Sequence, residues 1–131
     1  MIDLKSLSLD ALLERLHSSL SVVKDTISSE LLKDEQVLKE LKDVRGELRT
    51  RIERGDEKVD IEKLSKALSI MSKQNVLLRV TEEEMSDWLA LVEAIENHLA
   101  KGVGTYGKET KVEIEEANRL LKKIKEDLRK A

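Results

Sequence analysis

Leucine, isoleucine and valine recur three and four positions apart along nearly all of this chain, and no proline interrupts them. That spacing puts apolar side chains on one side of a helix, whereas a half-buried strand needs strict alternation. The clearest case is VTEEEMSDWLALVEAIENHL, from Val80 to Leu99. Thr81 and Glu84 form a capping box, and Val80 and Met85 are placed to staple over that turn. Met85, Trp88, Leu89, Val92, Ile95 and Leu99 follow as a stripe about five turns long. A helix with such a stripe needs partners to cover it.

The same pattern predicts the other elements. Leu9, Leu13, Leu16, Leu20, Val23 and Ile27 mark a first helix that starts at Ser6 or Ser8, with a break at Ser28 and Ser29. Ser29 then caps a helix through Arg54 that carries Leu31, Leu38, Leu41, Val44, Leu48 and Ile52. One unbroken helix from 9 to 54 is the competing reading. Gly55 stands at a natural helix end, so the tripeptide Arg54, Gly55, Asp56 is ordinary stop chemistry and not an adhesion motif. Asp60 caps a third helix with Ile61, Leu64, Leu68, Met71 and Leu78 in register and Asn75 as a polar interruption. This helix runs on into the Val80 to Leu99 stretch or breaks at Thr81, and the capping box favours the break. Gly102 to Gly107 is a loop. Thr110 and Glu113 open a last helix with Ile114, Ala117, Leu121, Ile124 and Leu128 on one face. The expected fold is therefore all-α: an antiparallel helical bundle of four long helices, with a fifth segment if the chain breaks at Ser28 or Thr81. An apolar arm, residues 1–8, precedes a single bundle domain, residues 9–131.

Composition narrows the function classes. Cysteine is absent, which removes disulfides, thiolate catalysis and thiolate metal sites. The longest apolar runs are a few residues, so neither a membrane span nor a secretory leader is expected, and the chain reads as soluble. Charged residues make up 39% with both signs mixed and a net charge of −3, which argues against a surface built wholly for nucleic acid. Abundant Lys and Glu with few Asn and Gln match the composition of hyperthermophile proteins.

Candidate chemistry is sparse. Glu14 and His17 have the Glu-x-x-His spacing of di-iron bundles, yet the second copy such a centre needs is missing, since Ile95 stands three before His98. Gly102 to Gly107 lacks the preceding strand and the Lys-Ser/Thr ending of a phosphate loop. Two histidines are a poor inventory for acid–base work, so the chain is expected to be no enzyme and to need no cofactor, metal or small-molecule substrate. Arg45, Arg49, Arg51 and Arg54, with Lys122, Lys123, Lys125 and Arg129, are candidates for sequence-independent contact with double-stranded DNA. Apolar residues outside the seams, Val22, Leu32, Leu91 and Val103, join Ile2, Leu4 and Leu7 of the arm as a candidate assembly surface, with Ile70 and Leu77 in the same class. The acidic helix before the glycine loop and the basic one after it are placed to pair antiparallel.

Two resemblances bear on function. His98, Leu99, Ala100, Lys101 and Gly102 resemble the His-x-x-Lys-Gly signature of histidine-containing phosphotransfer domains. The resemblance implies His98 as phosphoacceptor, Lys101 as its neutralising neighbour and Gly102 as the clearance for a partner. In size and composition the whole chain is similar to the all-helical coat proteins of viruses that infect hyperthermophilic archaea, including two-tailed and spindle-shaped kinds. That resemblance implies a virion subunit whose arm contacts neighbours and whose basic face lies toward DNA. The sequence thus points first to a self-assembling structural protein, located in a virion on this resemblance and otherwise cytoplasmic. A phosphotransfer domain and a plain helical adaptor are the alternatives.

Overall fold

The apolar stripes become the inner faces of helices, and capping side chains set where those helices start. The computed structural model describes residues 3–25, 35–55, 59–73, 85–102 and 108–130. Among them are five α-helices, α1 (Leu9–Asp25), α2 (Glu35–Arg54), α3 (Ile61–Met71), α4 (Met85–Gly102) and α5 (Lys108–Lys130), preceded by a 3₁₀ turn at Leu4–Ser6. Ser8 is the start signal of α1, its hydroxyl accepting the Ala11 N–H at 3.1 Å. Asp60 caps α3 through the Lys63 N–H at 3.2 Å. At the end of α2, Gly55 takes a left-handed φ of 73° while its N–H donates to the Arg51 carbonyl at 3.1 Å.

Several sequence expectations change here. The unbroken helix over 9–54 is excluded, because α1 and α2 pack side by side and antiparallel: Arg15 reaches Glu40 at 2.5 Å, and Arg51 near the end of α2 bonds Leu4 and Lys5 ahead of α1. The break residues Ser28 and Ser29 themselves lie outside the described residues. So do Thr81, Glu84, Asn75, Leu77 and Leu78, but α3 stops at Met71, capped by Ser72, well short of Thr81. The last helix begins at Lys108, two residues ahead of Thr110, so Thr110 stands within α5 and is not its cap.

Neighbours in space are mostly not neighbours in sequence. The principal contacts run α1 with α2, α2 with α4, α4 with α5, α5 with α3, and α3 with α1, a closed ring. Around this ring α1 and α3 point the same way: Glu14 meets Lys63 at 2.7 Å, and Leu13, Glu14, His17 and Ser18 line one cavity with Lys63 and Lys66. Likewise α2 and α4 share a direction, with Arg45 against Asp87 and Trp88 and, a few turns on, Ile52 and Glu53 in one groove with Ala94, Asn97 and His98. Lys125 on α5 pairs with Glu96 on α4 at 3.0 Å. A parallel α4 and α5 with that pair would put Lys108 about 35 Å from Gly102, beyond the roughly 20 Å that the intervening chain can span, so the two are antiparallel. The chain therefore runs up and down in alternation. One end of the bundle gathers the starts of α1, α3 and α5 with the ends of α2 and α4.

One hydrophobic cluster draws on all five helices. Leu12, Leu16, Leu20, Leu41, Leu48, Leu68, Trp88, Leu91, Leu99 and Leu121 are fully enclosed within it.

Candidate interaction surfaces

Two of the arginines proposed for DNA are structural. Arg45 is 4% exposed, lies 5.0 Å over the ring of the buried Trp88 and pairs with Asp87 at 3.5 Å. Arg51, 5% exposed, donates from Nε to Glu47 at 2.9 Å and from its Nη atoms to the carbonyls of Leu4 at 3.0 Å, Lys5 at 2.8 Å and Leu7. A guanidinium has five donors in a rigid fork, and here the fork holds the N-terminal arm against its own bundle. Neither side chain is available to phosphate.

The other basic candidates are accessible but scattered. Arg49 pairs with Glu53 at 2.9 Å, which raises its pKa, and Arg54 is exposed at the end of α2. Lys122, Lys123 and Arg129 are exposed on α5, whereas Lys125 is engaged with Glu96 in the expected acidic-to-basic pairing of α4 and α5. The α2 set sits at the end of the bundle where α5 begins, and the α5 set lies toward the opposite end, with α4 between the two helices. They form no continuous basic face.

The assembly candidates also divide. Leu91 is 0% exposed and Ile70 is 6% exposed, so both belong to the core and neither is surplus surface. Their positions beside the seam are inward because each helix touches two neighbours in the ring, which widens the buried stripe beyond a two-position seam. Leu4 and Leu7 are half-buried against the same core. Val22 stays 51% exposed, and Ile2, Leu32 and Val103 lie outside the described residues.

Both imidazoles border cavities. His98 is half-buried in a groove of about 540 Å³ between α2 and α4, with Arg49, Glu53, Arg54, Glu93, Asn97 and Lys101. His17 lies in a smaller one of about 320 Å³ beside Glu14, whose carboxylate is already taken by Lys63. Among the described residues no group of three or more His, Asp or Glu is arranged to hold a metal ion.

A third groove, of about 660 Å³, runs between the parallel α3 and α5. Ser65, Ser69 and Ser72 line its α3 side, and Val112, 71% exposed, stands with Leu120 on its α5 side. Charge along it is sorted by sign. Glu62, Glu113 and Glu116 lie toward the start of both helices, and Lys73, Arg119 and Lys123 toward their ends, with Lys66 between. Arg119 donates to both Glu116 oxygens, which lowers the Glu116 pKa and raises its own. This groove is not among the features expected from the sequence, although the order of charges in VEIEEANRLLKK is a visible signal. A scan against family models and searches of curated proteins and solved structures found no match to the chain.

Proposed function

We propose that this protein is a non-enzymatic building block that associates with copies of itself. The supporting observation is the α3–α5 groove, where a valine left 71% exposed stands at the acidic end of a surface whose other end is basic. Exposed apolar area bordered by charges of both signs is the kind of surface that a second protein surface covers. This replaces the N-terminal arm as the basis for self-association, since Arg51 ties the arm to its own subunit. Within this class the resemblance to archaeal virion proteins points to a coat subunit. Sedimentation velocity over a wide concentration range, with electron microscopy of the concentrated protein, tests the proposal. Concentration-dependent oligomers are expected, and a strict monomer at every concentration and low salt would overturn it. Packing of DNA is not carried forward, because the accessible basic residues are not gathered on one face.

A second reading keeps His98 as a phosphoacceptor, and it draws on one observation. His98 and Lys101, one turn apart on α4, open onto the same groove. Incubation with a phosphodonor and a receiver domain, scored for acid-labile phosphate lost in His98→Gln, decides it.

A further inference from the structure

Resting on the self-association reading, we infer that two copies pair α5 against α5 about a twofold axis that crosses this helix between Glu116 and Arg119. The occupant of this face is a second copy of this chain, and charge complementarity is what identifies it. A twofold interface brings the same patch from both subunits together in opposite senses, so a surface is self-complementary only if one half answers the other. Here it does. About an axis between residues 116 and 119 of α5, Glu116 comes opposite Arg119 of the second copy, and Glu113 opposite Lys122 and Lys123. Glu113, Glu116, Arg119, Lys122 and Lys123 are all exposed. The same symmetry lays Val112 against the aliphatic stem of Lys123, beside Leu120, and so covers the most exposed large apolar side chain among the described residues.

Sterics and prior pairing support this register. Ser65, Ser69 and Ser72 give the α3 side little bulk, and the buried Ser72 turns its hydroxyl back onto the Ser69 carbonyl at 2.8 Å, so that group is satisfied before any partner arrives. Glu116 and Arg119, paired within one subunit, need only exchange partners across the axis. Lys111 and Glu126, which break the sorting by sign, fall outside the central span from 112 to 123. A parallel pairing in register would set like charges together, which costs association free energy.

Charge reversal tests the geometry without touching the core. Glu113→Lys with Glu116→Lys makes the central α5 face basic, and Arg119→Glu with Lys123→Glu makes it predominantly acidic, with Lys122 the one basic residue left between 112 and 123. Each double variant, checked for an unchanged fold by circular dichroism, is expected to raise the self-dissociation constant at least about tenfold. An equimolar mixture of the two is expected to form a 1:1 heterodimer that weakens as salt is added. The quadruple variant, with both halves exchanged, should regain self-association. If each double variant associates as well as the parent, the α5 register is wrong while self-association stands through another face. A parent protein that never associates would remove the broader reading and this one together.

Discussion

At the residue scale, Arg51 is a clamp: one buried side chain joins α2 to the segment ahead of α1. Its guanidinium is buried with one carboxylate and three carbonyls, and removing one member of such a set leaves the rest desolvated and unpaired. Arg51→Ala is expected to cost about 3–5 kcal/mol in urea denaturation, with Arg51→Lys recovering only part, because an ammonium cannot span carbonyls on both sides of a fork. Removing residues 1–7 should destabilise the chain as well. The two changes act on the same contact, so together they should cost clearly less than their sum, whereas an additive result would show that the clamp does not exist. Its role was not legible in the sequence. Arg45, Arg49, Arg51 and Arg54 read as one basic cluster along α2, and nothing in their spacing says that two point inward to Trp88 and to the arm. Arginine at a position flanked by Leu48 and Ile52 is ambiguous, since its long stem is equally at home under a surface or on one.

At the scale of the element, helix ends and glycine positions carry signals that translate directly into structure. Ser8, Asp60 and Gly55 stand where the sequence analysis places a start, a start and a stop, because capping depends only on local backbone. Two glycines in or beside α2 then give opposite expectations. Gly46 lies within the helix with open space around its α-carbon, so Gly46→Ala should stabilise by about 0.5–1 kcal/mol. Gly55 has equal space but a φ of +73°, so Gly55→Ala should destabilise by about 1 kcal/mol. Thermal unfolding of the two variants checks both signs. Between elements, the Glu14 carboxylate bonds the Lys63 ammonium and raises its pKa above the ordinary lysine value of 10.5. A raised folded-state value means that the stabilisation is complete below the ordinary lysine range and disappears as pH rises through Lys63's own. The stability difference between the parent and Glu14→Gln should therefore be constant near neutrality and close in strong alkali. A gap that persists there would place the effect in packing and not in the ion pair.

At the scale of the whole molecule, fold class was legible and the order of packing was not. Spacing of three and four tells which side of a helix is apolar, and for α1 it places Leu9, Leu13, Leu16, Leu20 and Val23 inside. It does not tell which helix covers that side. Short connections favour antiparallel neighbours, and only α1 with α2 and α4 with α5 behave so, while α3 leaves α2 and packs against α1 and α5. Leu12, Ile70 and Leu91 were for the same reason unreadable as core, since each is inward only because a second neighbour flanks its helix. The α3–α5 groove depends on that order, because no local pattern brings Ser69 of α3 beside Arg119 of α5.

The ring arrangement bears on how the chain comes to be folded during its synthesis. Helix α2 rests on α1 and α4, and α3 rests on α1 and α5, so each of the two middle segments must wait for a partner made much later. A nascent chain that has reached residue 73 gives α1 both its neighbours but leaves α2 and α3 each with one greasy side wet. Maturation should accordingly be abrupt and late, triggered when the last segment emerges. Residues 1–73 alone should melt without cooperativity and bind apolar dyes, whereas the entire chain should lose structure in a single sharp step.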